Sequence, residues 1–399
     1  MMSLTPNEQN FILLLRAALS DSTEQKKALA PSIDVEGILR LAYEQKLWHM
    51  ILAALPQQHL PEGRPCRLEL IGHVAAQVSL CSDFLAFLEE LELAGFHPLV
   101  VKGIVCRTLY PHPELRPSSD EDLYVSEEEF EPCCAYLSEH GWIPDKTPFS
   151  LYDEIGWRSE RGGSMELHRA LFDKDFPLPF DLLAFKKIKA VRYDTPYGKT
   201  VCSMSPHDHL LYLILHAFKH FVHSGFGIRQ VCDVGLWASR YEKQVDWDAL
   251  SRTCEELHVK GFALSLFGIA RYHLSIPLSL PDGWDCTKDY CLPMLKDLLC
   301  GGIYGSASID RLHSVNLTLG AVKNRGEGPS LGRALFPPKS ALEKSYPFIK
   351  KHPLLMPVAY FKRLFGYAKK ASLGKVKASA SIAIGKERVA LLRFYGILD

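Results

Sequence analysis

Apolar residues recur every three to four positions through residues 8–95, the spacing of helices that bury one face. NFILLLRAAL, VEGILRLAYEQKLWHMILAAL and the long LIGHVAAQVSLCSDFLAFLEELELAG carry this pattern, and Gly95 stands where the last of them should end. From residue 96 the period changes. FHPLVV is a short β-rich run, Lys102-Gly103 a turn, IVCRTLY a short helix closed by a loop with Pro111 and Pro113, and DLYV a second strand. SEEEFEPCCAYLSEHG follows as a helix, opened by Ser126 with Glu129 three residues on in the capping-box arrangement. Two further β-like runs centre on SLYDEIGWRS and GSMELHRALF. The order β-turn-α-β-α-β-β predicts an α+β core whose sheet ends near residue 172, with AVRYDTPYGKTVCSM as a following hairpin.

Beyond residue 204 the chain turns helical again. Ser205-Pro206-His207-Asp208 reads as a helix start, with a capping serine, a proline in the first turn and an acid at the third position. HDHLLYLILHAFKHFVHS, RQVCDVGLWASRYEK and VDWDALSRTCEELHVKGFALSLFGIARYHLS continue as helices to about residue 275, and residues 276–330 are mixed and rich in loops. Four regions result: an N-terminal helical region 1–95, an α/β core 96–203, a helical domain 204–330 and a helical tail 331–399.

Charge singles out the tail. The formal net charge of the 399 residues is zero, yet residues 331–399 hold 14 Lys/Arg against three Asp/Glu. YFKRLFGYAKK there mixes aromatic and basic residues, as a segment that packs on the acidic remainder of the chain or makes a weak membrane or partner contact would. With 47% hydrophobic and 23% charged residues, composition is that of an ordinary soluble protein, and its total charge gives no reason to expect nucleic acid. Eleven cysteines without a CxxC pair indicate neither a disulfide framework nor a zinc site. The N-terminal apolar run has no basic region before it and reads as a helix rather than a signal peptide, so a reducing cytoplasm is the expected location.

The chemistry gathers in LRPSSDEDLYV. Residues i and i+2 of a strand share a face, so Asp120 and Asp122 present two carboxylates together while Leu123 and Val125 point away. That is a hard oxygen ligand set suited to Mg²⁺, with Mn²⁺ as the alternative. Glu166 in SMELH is the best candidate for a third carboxylate, ahead of Asp153, Glu154 and Glu160, because Met165 and Leu167 alternate with it. Lys102-Gly103 lies where a strand gives way to a helix, a position whose backbone N–H groups attract phosphate, and Arg116 is expected to add a bidentate contact. Glu121, facing opposite the metals, requires a solvated or salt-bridged position.

PLVVKGIVCRTLYPHPELRPSSDEDLYV, followed by a helix, a β-pair and MELH, resembles the active-site stretch of the uncharacterised bacterial nucleotidyltransferase family, a branch of the DNA polymerase beta-like nucleotidyltransferase superfamily. The helical N-terminal region, CDVGLWASRYEKQVDWDAL and LFPPKSALEKSYPFIK extend the likeness more loosely. The resemblance implies a palm-like fold in which Asp120, Asp122 and Glu166 bind the catalytic metals and Gly103 contacts the triphosphate. It implies transfer of a nucleoside monophosphate from an NTP to an acceptor, a small molecule, peptide or protein, with release of pyrophosphate. The chain departs from the superfamily at the turn, where Lys102-Gly103-Ile104 replaces the usual Gly-Gly or Gly-Ser.

His216, His220 and His223 share a helix face at i, i+4 and i+7. With His168, His216 and His220 are the expected wall of the acceptor pocket. Two other functions compete with transfer. One is a catalytically inactive protein that binds nucleotide or a partner, supported by the missing Gly-Ser pair. The other is a metal phosphohydrolase using His216 and Asp233.

Overall fold

The computed structural model describes residues 3–20, 32–61, 65–118, 120–159, 163–172, 188–223, 225–301, 352–362 and 378–398, with isolated positions between them. The first helices are α1 (Pro6–Ser20), α2 (Val35–Glu44) and α3 (Trp48–Ala54). Asp34 caps α2 by accepting from the Gly37 N–H at 2.9 Å. The apolar period carries across residues 35–55 without interruption, but the helix does not. Lys46 takes φ +52° and separates α2 from α3. Fully buried Gln45 explains why the break belongs there. Its Nε2 donates to the Leu298 carbonyl at 3.1 Å and its Oε1 accepts from the Ile228 N–H at 3.1 Å, so this side chain ties three helical segments together.

Helix α4 (Cys66–Leu93) ends as its sequence predicts. Gly95 adopts φ +92°, the Gly95 N–H donates to Glu92 and the Phe96 N–H to Leu91, the paired bonds of a glycine-terminated helix. Helix α4 is long and apolar enough to cross a membrane by length and composition alone, and its Phe84, Leu85, Phe87, Leu88 and Leu91 are buried in the protein core.

Five strands form one mixed sheet: β1 (Leu99–Val100), β2 (Glu121–Tyr124), β3 (Trp142–Pro144), β4 (Glu154–Ser159) and β5 (Ser164–His168), in the order β1-β2-β5-β4-β3. β2 and β5 are parallel; the other neighbours are antiparallel. The α+β class expected from the sequence is therefore observed. β3 is the strand that the alternation did not predict: three residues, Trp142, Ile143 and Pro144, pair at the sheet edge immediately after Gly141.

Short helix α5 (Ile104–Arg107) follows β1, and α6 (Glu127–Glu139) follows β2. Ser126 accepts from the Glu129 N–H at 3.3 Å, while the Glu129 carboxylate accepts from the His97 N–H at 3.0 Å, so the expected box also fastens the segment leading into β1. The hairpin β6 (Ala190–Asp194) and β7 (Thr200–Met204) is tied to the sheet by Ser203, whose Oγ donates to the Val100 carbonyl at 2.5 Å.

Helix α7 (Pro206–His223) is opened by Ser205, which accepts from the Asp208 N–H at 3.2 Å. It is followed by α8 (Ile228–Tyr241), α9 (Trp247–Glu256), α10 (Lys260–Gly268) and α11 (Lys288–Gly301). In α12 (Ala378–Phe394), Val389 and Leu392 join the main core, and fully buried Arg388 donates to the Phe221 carbonyl. This end of the basic tail thus packs on the body. Most of YFKRLFGYAKK, together with Glu160 and most of LFPPKSALEKSYPFIK, lies outside the described residues. All eleven cysteines are free thiols.

Gln45→Leu is expected to lower stability by about 2–3 kcal/mol, since it leaves a buried N–H and a buried carbonyl without partners. A urea titration against the wild type checks it; an unchanged midpoint would remove Gln45 as the tie between these helices.

Candidate active site

Parallel pairing of β2 with β5 sets Asp122 opposite Glu166 and Tyr124 opposite His168, and antiparallel pairing sets Glu154 opposite His168. Residues paired across neighbouring strands point to the same face, so Asp122, Glu154, Glu166 and His168 share one side of the sheet. His168 Nε2 lies 3.3 Å from Asp122 Oδ1 and 3.7 Å from Glu166 Oε2. Donor atoms of these three residues all lie within 4.8 Å of one another. The His168 Nε2 is buried and has no hydrogen-bond partner of acceptable geometry. Ligands of a single ion held at about 2.1 Å stand roughly 3 Å apart, so the two carboxylates and the His168 Nε2 fit a divalent cation.

The opposite wall comes from α7 and the turn after β1. Lys102 Nζ lies 2.9 Å from Asp122 Oδ1 and 3.2 Å from His216 Nε2, and His220 Nε2 lies 3.0 Å from that same His216 nitrogen. Burial opposes the charge on both Lys102 and Asp122, but their mutual attraction outweighs it: the lysine pKa is raised and the aspartate pKa lowered. Glu166 moves the other way. Burial, then the nearby Asp122 and Glu154 charges, push its carboxyl up to about 7 against the pull of His168. Burial and the Lys102 charge press His220 down to about 3 and His216 well below its ordinary value, so both imidazoles are neutral at neutral pH. The charged lysine therefore donates to His216 Nε2, which puts the His216 proton on Nδ1.

On the reverse face the expected phosphate turn is already engaged. Glu121 Oε2 accepts from the Ile104 N–H at 2.7 Å and its Oε1 accepts from Arg107 Nη1 at 2.8 Å. This is the salt-bridged position that its parity on the strand required. It also explains the glycine: Gly103 adopts φ +51°, and a Cβ there would overlap the Glu121 carboxylate. The backbone donor expected to meet phosphate is thus held by an internal acid.

Arg116 is likewise committed. Its Nε and Nη2 donate to the two Asp233 oxygens at 2.9 and 2.7 Å, and its Nη1 to the Gly103 carbonyl at 3.2 Å. A guanidinium expected on phosphate is instead the buried brace of the turn. The same pair corrects the phosphohydrolase reading. Asp233 accepts from Arg116 and from the Tyr110 hydroxyl at 2.7 Å, and His216 is bonded to Lys102, so the two do not form a ligand set.

A cavity of about 270 Å³ lies between the sheet face and α7. Lys102, Gly103, Arg116, Asp120, Asp122, Glu166, His168, His216 and His220, the full set predicted from sequence, all border it. Asp120, immediately before β2, lines the cavity but is not one of the three convergent donors, so the expected pairing of Asp120 with Asp122 as ligands is replaced by Asp122 with Glu166 and His168. A family model described as uncharacterised nucleotidyltransferase matches residues 31–275. The chain belongs to that family. No curated protein and no solved structure matches it.

Within this nucleotidyltransferase-family chain, sequence reasoning missed three features of the site. His168 was assigned to the acceptor wall, although its i, i+2 parity with Glu166 already put both on one face. Arg229, whose Nε is buried without a hydrogen-bond partner, and Lys219 also border the cavity. Both come from helices whose packing against the sheet no local pattern discloses.

Arg116→Met should cost about 3–5 kcal/mol in a denaturant titration at pH 7, because it leaves the Asp233 charge buried and unpaired. Burial opposes that charge, but Arg116 holds the Asp233 pKa below its ordinary 3.8. The stability it contributes is present above that value and is lost as pH falls through the lower folded value. The deficit of the variant should therefore shrink on acidification, and a pH-independent deficit would contradict the assignment.

Proposed function

We propose that the chain is a divalent-cation-dependent nucleotidyltransferase that moves a nucleoside monophosphate from an NTP to a hydroxyl acceptor, releasing pyrophosphate. In this reading the mixed sheet is a polymerase-beta-like palm. The observation that carries it is the convergence of Asp122, Glu166 and the unpartnered His168 Nε2 beside a cavity that Lys102, Lys219 and Arg229 also border. Family membership supplies the reaction class.

Asp122, Glu166 and His168 would hold the cation, and their mixed oxygen and nitrogen donors suit Mn²⁺ as well as the Mg²⁺ expected from carboxylates alone. When bound, such an ion neutralises phosphate charge and polarises the phosphoryl group under attack. Lys102, held by Asp122 and His216, keeps a positive charge in the cavity wall, and Arg229 offers its unpartnered Nε to a phosphate oxygen. Lys102 keeps the phosphate role expected of the Lys102-Gly103 turn, and Arg229 takes the one expected of Arg116. His216 and His220 orient Lys102. Asp120, outside the convergent set, receives the proton of the acceptor hydroxyl as its oxygen attacks the α-phosphorus.

One observation favours the alternative of a protein that holds nucleotide without turning it over: Glu121 closes the backbone donor of the turn. The two readings separate on labelled NTPs with Mg²⁺ or Mn²⁺. Wild type should release pyrophosphate, and Asp122→Asn and Glu166→Gln should each lower kcat by about 10²-fold or more. Asp120→Asn should lower kcat while nucleotide affinity is retained. Nucleotide binding with no pyrophosphate from the wild type, and no change among the variants, would establish the non-catalytic reading instead.

A further inference from the structure

The apolar and basic residues of the C-terminal tail take no part in the site above, and they meet in one described segment. Within KKHPLLMPVAYFKR, Pro353–Leu355 form a 3₁₀ turn, closed by the Leu355 N–H on the His352 carbonyl at 3.0 Å, and residues 356–362 continue as helix. Pro353 and Pro357 fall in the first turn of each, where a backbone N–H has no partner within the helix.

The segment has two apolar faces. Met356, Ala359 and Tyr360, at i, i+3 and i+4, close on Leu342, Tyr346 and Ile349 in a small core separate from the main one. Leu354, Val358 and Phe361, at i, i+4 and i+7, lie on the opposite side together with Leu355, and all four are exposed. Leu354 is 94% exposed and Phe361 69%, so this face is not the margin of a contact already made. Four large apolar side chains within eight residues are a density that a water-facing surface avoids.

Charge identifies what covers them. Residues 344–386 hold ten Lys/Arg and no Asp/Glu, and Lys350 and Lys351 precede the exposed face while Lys362 and Arg363 follow it. Apolar residues between clustered cations suit a segment lying in the plane of an anionic bilayer, with Leu and Phe side chains among the acyl chains and lysine stems rising to the phosphates. We propose that residues 352–362 are a membrane-surface anchor that seats the protein on anionic phospholipid. This goes beyond the nucleotidyltransferase reading and does not depend on it.

The other surfaces that cations attract fit less well. A nucleic acid would meet the charges but leave Leu354, Leu355 and Val358 in water. A second copy of the chain would bring the same cations against these, since a two-fold contact pairs like with like. After the anchor the chain returns to the main core in α12, where Val389 and Leu392 are buried, so a protein held at a bilayer keeps its body beside it. One short apolar face with a basic cluster gives reversible, salt-sensitive binding rather than permanent insertion.

Flotation of the full chain with phosphatidylcholine vesicles carrying about 30% phosphatidylglycerol, against phosphatidylcholine alone, tests the assignment. The wild type should float with the anionic vesicles and not with the neutral ones, and about 0.5 M NaCl should release it. Leu354→Asn combined with Phe361→Ser should lower the partition coefficient about tenfold or more, and Lys350→Gln combined with Lys351→Gln about tenfold. Leu354 and Phe361 are exposed, so their replacement should leave circular dichroism and the denaturant midpoint unchanged. Phe361→Trp gives a direct readout: brominated acyl chains should quench its emission beyond any quenching of the wild type. Equal flotation with neutral vesicles, anionic binding that survives the Leu354 and Phe361 substitutions, or no added quenching in Phe361→Trp would each overturn the proposal. So would self-association abolished by the same double substitution in a chain that binds neither vesicle, which marks a contact between copies, or capture of a labelled oligonucleotide without flotation.

Discussion

Two carboxylates set side by side on neighbouring strands, one buried and one half-buried, call for positive charge between them, and that constraint organises this molecule. The register of β2 against β5 sets Asp122 directly opposite Glu166 on one face. The consequences are visible in both groups. Asp122 stays ionised by drawing Lys102 to 2.9 Å, and Glu166, with less compensation, is pushed up to about 7. A cation shared by Asp122, Glu166 and His168 would relieve both. In the proposed transfer reaction Lys102 would then be released toward the phosphates, with His216 at 3.2 Å still beside it.

The reverse face balances charge in a different way. Glu121 and Arg107 form a buried pair with Gln77 and Cys81 as additional contacts, and Arg116 and Asp233 form another beneath the turn. Each is complete in itself, with its donors directed at partners inside the protein. Replacing one member is therefore expected to be costly, because the other is left charged and unmatched. The face with incomplete pairing borders one cavity, and the faces with complete pairing hold the turn and the long helix α4 against the sheet. Glu121 carries both functions at once: it fixes the turn through the Ile104 N–H and neutralises Arg107.

Much of this was legible from the sequence because it follows from period and parity. The alternation in DLYV and MELH set Asp122 and Glu166 each opposite its apolar neighbours, the capping signals marked α6 and α7, and Gly95 ended α4; the register that brings the two acids together came from the sheet. The same parity rule required a partner for Glu121 without saying which. What stayed hidden depends on contacts between segments far apart in the chain. Arg116 and Asp233 are 117 residues apart, and Gln45 reaches Ile228 across 183, so no local pattern distinguishes a brace from a phosphate ligand. His168 is an instructive intermediate case: its face was readable, but its missing hydrogen bond was not. β3 escaped because three residues are too few to alternate.

The central claim is that Asp122, Glu166 and His168 together form a cation site. Diffraction from crystals soaked in Mn²⁺ and a non-hydrolysable NTP, measured at the manganese edge, tests it most directly. The account predicts an anomalous peak within about 2.0–2.4 Å of a carboxylate oxygen from Asp122 and from Glu166 and of His168 Nε2. Nucleotide density with manganese bound away from these three residues, or with none beside them, would contradict it.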